Sequence, residues 1–504
     1  MKVKMNMFRN LLIICPLVYV IIFQVNTLKA QEKYTFNFEE ALEIAEQNSP
    51  EIQQARFSLE RSQQNLNAQE ASLKSFFSLN LEPFYYSKRN QFESNLSLWI
   101  ESETKRYSGT VSIRQPLIWT DGVISLNNQF RWTKSKSEIP FSGLLRGTDE
   151  EYFSNNLYIS YDQPIFTYNR TKMGLEEVEL DLENALLNYQ LRELQLEQLV
   201  AQSFYGAYQN KMSLQIAKEE YQNRQGSYNI IKNKVDAGLV AQEELYQAEL
   251  DLTTSQSQVQ NQQVTLDNSL DELKRLLGLN ITDEIDIFAE IVQSEADVDL
   301  EFAISYGLKN RREIRQREIN VALSLNSVTR AGAVNEFLGN ISLTYGLFGK
   351  DEQFNQILTN SDKNQIYNIS FQVPIYDWGA RDSRIKAAEA TVKQNQLNES
   401  EENKLIRIGI RRAYRNLQNQ VLQVDLAQQN VKSAQLTYDI NLERYRNGDL
   451  TSMDLNLIQN QLSQRKINLI NALIGYKLSL LDLKIESLWD FEKNQAALPP
   501  LSNE

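Results

Sequence analysis

The chain of 504 residues contains two copies of one pattern. Residues 37–54 match residues 299–316 at an offset of 262, and further along the offset falls to 210, where Gly238 pairs with Gly448. An internal repeat of this length defines the structural unit of the protein. We therefore predict two equivalent halves, and each local pattern is interpreted by comparing its two copies.

The first thirty residues have the features of a secretory signal. A basic start (Lys2, Lys4 and Arg9) precedes an apolar run of 13 residues. This run is short for a membrane-spanning helix, which needs about 20 residues. Residues 28–30 provide the small-residue cleavage region at the end of the signal. The only cysteine, Cys15, lies inside the apolar run, where the preceding isoleucine disfavours lipid attachment.

Composition excludes several classes of function. Removal of the predicted signal changes the formal net charge from −13 to −17, which argues against a nucleic-acid partner. The chain has no histidine, so Ser-His-Asp and Cys-His catalysis and histidine-bearing metal sites are excluded. No pair of carboxylates stands out. We predict a protein that is not an enzyme and that uses no cofactor or metal.

Long amphipathic helices are predicted in each copy. Residues 171–235 and 241–277 contain no proline. The second range has apolar residues at a constant spacing of seven: Leu245, Leu252, Val259, Leu266 and Leu273. This spacing predicts helices packed side by side as coiled coils. A helix over residues 171–235 is about 100 Å long at about 1.5 Å per residue, which suits a strut or a tube. Gly238 and Gly448 provide the backbone reversal that makes each copy a helical hairpin.

A period of two predicts β-strands between the helices. Residues 341–347 and 367–373 alternate an apolar or aromatic face with a small, polar face. This alternation is typical of transmembrane barrels, although a soluble sheet packed on one side gives the same pattern. The predicted export favours the barrel. With one hairpin from the second repeat and about two from the first, one chain supplies four to six strands. Barrels start at about eight strands, and an open edge cannot face lipid, so several chains must build one barrel.

The change of offset places 52 extra residues in the first copy, all between Leu81 and Pro164. Asp121-Gly122 lies there between two alternating runs and predicts a hairpin. The pattern gives this copy five candidate strands: residues 76–86, 94–101, 107–117, 123–132 and 152–163. Both flanking helices must lie on the same side of the membrane, so the number of spanning strands must be even. At least one candidate is therefore expected outside the membrane.

The order of these parts resembles the TolC-like outer membrane factor family. The resemblance covers essentially the whole chain after the signal, and segments 371–390, 237–245 and 444–483 carry it. It implies a homotrimer with one shared barrel in the lipid of the outer membrane and an α-helical tunnel across the periplasm. It also implies two partners, a periplasmic adaptor (membrane fusion) protein and an inner-membrane RND or ABC transporter, for drug efflux or type I secretion.

The resemblance implies roles for residues near the tips. Asp454 is expected to ring the periplasmic aperture, with Glu244 at the same place in copy one. Three Asp454 carboxylates in a trimer would favour cations. Tyr445 matches a tyrosine that helps to close family channels. Leu457 and Leu450 stand where the family has an aspartate and a basic residue, so the closing network is expected to differ here.

Structural roles remain open for the same residues. Thr451 and Asp454 fit a helix capping box, and Tyr445 continues an apolar heptad stripe. Pro164 and Pro374 are predicted to mark the two strand-to-helix junctions. The tips are also predicted to dock the adaptor, through Gly238, Leu239, Val240, Gly448, Asp449 and Leu450.

The predicted fold class is mainly α with membrane β: tandem helical coiled-coil hairpins, plus β-hairpins that form a shared trimeric outer-membrane β-barrel and a periplasmic α-helical tunnel. The predicted boundaries are 1–30 (signal peptide), 31–280 (first repeat, with strands at about 76–165 and a helical hairpin at 171–277), 281–300 (equatorial connector), 301–485 (second repeat, with a strand hairpin at about 339–374 and a helical hairpin at 378–485) and 486–504 (equatorial tail).

The function that this organisation favours is a passive exit duct of a tripartite efflux or type I secretion system, in the outer membrane and extending into the periplasm. One alternative is a periplasmic coiled-coil structural or adaptor protein without channel activity, which would have one long hairpin followed by small β domains. A second alternative is an outer-membrane enzyme or receptor anchored by the barrel, and no catalytic constellation supports it.

Overall fold

The computed structural model describes residues 34–94, 98–141, 144–293 and 298–499, so the predicted signal lies outside the described ranges. Helices make up most of the described chain, and the strands between them gather into one large sheet. The predicted class, mainly α with a separate β region, is therefore confirmed. Among the described residues, no helix combines the length and the apolar character that a membrane crossing requires.

Each repeat has two shorter helices and then, after its strands, a long helical hairpin. In the first repeat these are α1 (Phe38–Asn48), α2 (Pro50–Ser72), α3 (Arg170–Asp236) and α4 (Gln242–Leu277). In the second repeat they are α5 (Leu300–Asn310), α6 (Arg312–Gly332), α7 (Ala380–Asn447) and α8 (Ser452–Ser487). With 67 and 68 residues, α3 and α7 are each about 100 Å long.

Equivalent capping residues start the two repeats. Asn37 accepts a hydrogen bond from the Glu40 backbone, and the Glu40 side chain accepts one in return, which completes a capping box for α1. Asp299 caps α5 by accepting from the backbone of Glu301 and Phe302. Because Asn37 and Asp299 are related by the offset of 262, the repeats begin with the same device at the same place.

Short strands join distant parts of the chain at half the height of the helices. The strand β1 (Tyr34–Phe36) pairs in parallel with β6 (Ile285–Ile287) of the connector between the repeats. In the C-terminal tail, Trp489 packs edge-on against Phe302 with 5.2 Å between ring centroids. The fully buried Arg312 donates to the Pro499 carbonyl at 2.5 Å. Connector and tail therefore pack against the starts of the two repeats.

The large sheet has six antiparallel strands. The first repeat supplies β2 (Phe76–Glu93), β3 (Leu98–Leu117), β4 (Gly122–Phe141) and β5 (Leu144–Ile165), and the second supplies β7 (Leu338–Asp351) and β8 (Ser361–Gln372). Their order in the sheet is β2-β3-β4-β5-β7-β8. The 52-residue insertion therefore holds one complete additional hairpin, and the strand number of each repeat is even.

The expectation of five strands in the first copy is wrong. Candidates 94–101 and 107–117 belong largely to one strand, β3, and the charged residues between them do not interrupt it. Arg106 binds Glu82 of β2 at 2.9 Å, and Glu101 binds Lys88 of β2 at 2.5 Å. Cross-strand ion pairs thus neutralise charged residues that, from the sequence alone, suggest the end of one strand and the start of another.

Candidate functional site at the helical tips and the large sheet

The two helical hairpins end in the same backbone motif. Gly238 and Gly448 have positive φ angles of 73° and 89°, which glycine adopts without the strain of a side chain. In both tips the residue after the glycine donates its N–H to a carbonyl five residues earlier, as in a Schellman motif. These bonds run from Leu239 to Lys234 (2.8 Å) and from Asp449 to Arg444 (2.9 Å).

The exposure of the predicted docking residues differs between the tips. Leu239 is 74% exposed, and its neighbour Val240 is half-buried. Leu450, at the second tip, is also half-buried and packs against an apolar cluster formed by both hairpins. The exposed apolar side chains near the second tip are instead Met453 and Leu457. Each tip therefore presents apolar surface, but at non-equivalent positions.

Tyr445 lies where the two hairpins meet. Its side chain is 3% exposed and belongs to the apolar cluster at the tips. Lys234 of the first hairpin donates to the Tyr445 carbonyl at 3.1 Å, and its ammonium lies 5.2 Å from the ring centroid. Burial, together with the nearby Glu244 carboxylate, raises the pKa of the Tyr445 hydroxyl to about 12. Tyr445 therefore packs in the apolar cluster and also contacts the first hairpin through Lys234.

Asp454 is exposed and forms part of a helix cap. The Thr451 hydroxyl donates to its carboxylate at 2.7 Å and accepts from its backbone N–H at 3.2 Å. In the first repeat the residue equivalent to Thr451 is Ala241, which makes no side-chain cap. The acidic residue there, Glu244, is half-buried. The capping interaction of Asp454 is present, and its carboxylate also remains open to solvent.

A buried polar network that was not predicted from the sequence connects three helices above the tips. Arg224 of α3 is 8% exposed. Its guanidinium donates to Glu220 of the same helix at 2.8 Å and to Asn460 of α8 at 2.7 Å. It also lies 3.9 Å from Asp251 of α4, and Asn456 of α8 donates to that carboxylate. This network ties the first hairpin to the second.

One signal for this network was present in the sequence. Arg224 lies at a seven-residue spacing between Ala217 and Ile231, both of which are buried in α3. A cation in an apolar heptad stripe requires a buried partner. Its partners Asp251 and Asn460 lie in other helices, and no local pattern identifies them.

The two faces of the sheet differ in character. One face exposes apolar side chains on both edge strands, such as Leu79 on β2 and Ile369 on β8. The other face is polar, and its side chains bond across strands, as in the 2.7 Å bond from Ser342 to Asp162. This arrangement fits a barrel wall with lipid on one side and water on the other.

Aromatic residues mark two levels on the sheet. At the upper level Tyr107, Trp132 and Phe153 are aligned on β3, β4 and β5. At the lower level Phe337 stacks on Phe371 with 5.7 Å between centroids. On β4 the segment 123–132 lies between these levels, and its ten residues agree with the roughly 9–11 of a membrane-spanning strand.

Four strands continue beyond the upper aromatic level. β4 extends nine residues past Trp132, and the face that is apolar below becomes charged there. Ion pairs cross this upper part, including Lys134–Glu151 at 2.8 Å and Lys136–Asp149 at 3.5 Å. The hairpin of β7 and β8 ends near this level, since Asp351 pairs with Phe153. The sheet is therefore tall on the side of the first repeat and short on the side of the second.

Two segments of the chain, residues 41–279 and 303–484, match the family model described as outer membrane efflux protein. The chain belongs to this family. Together these segments include nearly all of both helical hairpins and the whole six-stranded sheet. The protein is therefore an outer membrane efflux duct, and a periplasmic adaptor is not favoured.

Solved outer membrane channels have the fold of this outer membrane efflux protein. The Campylobacter jejuni CmeC channel is 16% identical, with a TM-score of 0.68 over 89% of this chain and 85% of that chain. VceC from Vibrio cholerae is 13% identical, with a TM-score of 0.65 over 89% and 95%. The MtrE channel of Neisseria gonorrhoeae is 13% identical, with a TM-score of 0.62 over 89% and 88%. None of the curated protein sequences matches the chain.

The junctions of this efflux protein lie close to the predicted prolines. Pro164 is the second-last residue of β5, and Pro374 follows β8. After Pro374 the chain turns at Trp378 and Gly379, both with positive φ, and Asp377 accepts from the Gly379 and Arg381 backbones. These bonds lower the pKa of the Asp377 carboxyl.

The turn of the added hairpin is fixed to the first of these junctions. Asp121 accepts from the Thr171 backbone at 2.9 Å, and Asn169 donates to the Ile118 carbonyl at 2.6 Å. Asn169 is also the capping residue of α3. The insertion therefore contacts the start of the long helix directly.

Proposed function

We propose that this outer membrane efflux protein works as a homotrimer, in which three sheets share one barrel and three sets of helical hairpins line one tunnel. The observation that carries the proposal is the open sheet: within the described residues, β2 and β8 each have a strand partner on one side only. An unpaired edge is not tolerated in lipid. Channels of this family are trimeric components of tripartite systems, which supports three copies.

The duct has its sheet in the outer membrane and its helices in the periplasm, and residues 1–30 serve as the export signal. The division into two repeats, a connector (281–300) and a tail (486–504) belongs to the same proposal. Transport is passive: the chain takes no cofactor and catalyses no reaction. A periplasmic adaptor docks at the two tips, where Leu239 is exposed, and an inner-membrane RND or ABC transporter supplies the substrate.

The periplasmic gate consists of residues at the same tips. Asp454 supplies one exposed carboxylate from each protomer, and the three protomers form an acidic ring that favours cations. Tyr445 and Lys234 hold the second hairpin against the first, with Glu244 close to the tyrosine. Opening requires these contacts between the hairpins to separate, while the glycine turns keep their shape.

The proposal is tested by extracting the protein from the outer membrane with detergent and measuring its native mass. We expect a particle of three chains that conducts ions in planar bilayers. A soluble periplasmic protein from the same cells provides the control for fractionation. The proposal fails if the protein stays in the soluble periplasmic fraction, or if the detergent-extracted protein is a monomer that does not conduct.

A further inference from the structure

The registers of the six strands measure how steeply they cross the membrane. When the paired residues are traced from strand to strand across the sheet, Phe76 at the start of β2 is aligned with Ile366 on β8. The end of β8 at this side of the sheet is Gln372, six residues further along. Six residues correspond to about 20 Å, and five strand spacings to about 24 Å. If both ends lie at one level, the strands are tilted by about 40°, within the usual range of about 35–45° for membrane barrels.

The tilt also gives the width of sheet that each chain contributes. A strand tilted by about 40° occupies about 6.3 Å of circumference, so six strands span about 38 Å. Four helices lie side by side below the sheet in the order α2, α3, α6 and α7. Ion pairs join the last three, from Arg315 of α6 to Glu183 of α3 and from Arg317 of α6 to Glu402 of α7.

The helix layer and the sheet have matching widths. Helices packed at about 8–10 Å give an arc of about 32–40 Å for four helices. Without the hairpin of β3 and β4 the sheet would span only about 25 Å. The added hairpin therefore brings the sheet to the width of the helices that continue it, and its turn is bonded to the start of α3.

From these widths we propose that the assembly closes as an 18-stranded barrel, in which β8 of one protomer pairs antiparallel with β2 of the next protomer. The proposal rests on the trimer proposed above and adds the strand number, the seam and its register. The resulting backbone diameter is about 36 Å. Barrels of about 16–18 strands leave an aqueous channel, so the membrane section is a wide pore that lets the gate at the tips control passage.

The register of the seam follows from the tilt and from the alternation of faces. At about 40° a step of one strand displaces the register by about one residue from the pairing of Phe76 with Gln372. Because a displacement of one residue would misalign the two faces, we take the neighbouring register that keeps them aligned, with Phe77 of one protomer opposite Phe371 of the next. Leu79 then pairs with Ile369, so the apolar face continues across the seam. On the polar face Ser78 pairs with Ser370. A shift by one residue would place apolar side chains opposite polar ones.

A disulfide across the seam tests this register. The only natural cysteine, Cys15, lies in the predicted signal, so Ser78→Cys with Ser370→Cys supplies the only pair of thiols in the exported chain. Directly opposite residues of antiparallel strands have Cα atoms about 4.5–5.5 Å apart, within disulfide reach. We expect a ladder of covalent dimers and trimers on non-reducing gels, and its loss on reduction.

The matched control pairs Ser78→Cys with Asn364→Cys, on the same face of β8 but six residues from position 370, and should give no ladder. If the native mass is that of a trimer but the control pair cross-links instead, the seam is wrong although the proposed function stands. A cross-linked monomer would mean that each chain closes its own sheet, which also overturns the seam. A native mass other than that of a trimer contradicts the proposed function itself.

Discussion

The two helical tips have the same backbone and different side chains. Both end in a glycine with positive φ and the same pair of hydrogen bonds. Around this common turn the copies diverge. Thr451 caps the second return helix, whereas Ala241 leaves the first uncapped. Asp454 is exposed, whereas Glu244 is half-buried near Tyr445.

This difference separates what the hairpin requires from what the assembly uses. The glycine turn is present in both repeats because it ends a long helix in the left-handed conformation without backbone strain. The buried cation Arg224 occurs in only one copy, since its counterpart at the offset of 210 is Ala434. Arg224 also bonds within its own hairpin, to Glu220 and Asp251. The second hairpin forms without such a cation, so the part of this network that is specific to the assembly is the bond from Arg224 to Asn460 of α8.

The largest expected effect comes from removing the contact that only one copy makes. Arg224→Ala leaves Glu220 and Asp251 without their buried cation, and breaking such a pair costs about 3 kcal/mol or more. The loss should appear as a lower midpoint in urea unfolding followed by circular dichroism. Arg412→Ala is the control, because the Arg412–Glu486 pair is 3.7 Å apart and its arginine is 70% exposed. That change should cost at most about 1 kcal/mol, and equal losses from both would exclude Arg224 as the connection between the hairpins.

A smaller and symmetrical effect is expected at the tip glycines. Gly238→Ala and Gly448→Ala force an alanine into positive φ, which costs about 1–2 kcal/mol at each site. An added Cβ meets no neighbouring atom within 4 Å at either position, so backbone strain is the whole cause. Gly226→Ala, at an exposed position ten residues before the end of α3, should instead stabilise the protein by about 0.5–1 kcal/mol. Unequal losses at the two tips would show that their backbones are not equivalent in the assembled protein.

The smallest effect on stability, and the clearest on function, is expected for the paired acidic residues. Asp454→Asn keeps an acceptor for Thr451 and removes the charge. In bilayer recordings of the purified channel, the preference for cations should fall several-fold, because three carboxylates are lost at once. Glu244→Gln should leave selectivity nearly unchanged, since its side chain is half-buried. The reverse result would place the acidic ring on the first hairpin.

Much of this architecture is predictable from the sequence, since repeats, glycine tips and alternating strands are local or periodic signals. The strand count was not, because the charges in the middle of β3 are neutralised by partners on β2, such as Glu82 for Arg106. The Arg224 network was missed for the same reason: Asn460 is 236 positions away. At the site, the sequence pointed to Tyr445, while its contact with Lys234 depends on how the two hairpins pack.

The unequal height of the sheet has a consequence for the outside of the cell. In the proposed trimer, the tall strands β2 to β5 of each protomer would alternate with the short hairpin of β7 and β8. The external opening of that trimer would therefore be a rim with three raised walls and three gaps. A departing molecule could then leave sideways through the gaps as well as straight upward. An antibody or protease that approaches from outside would meet the upper strands of the first repeat before any part of the second.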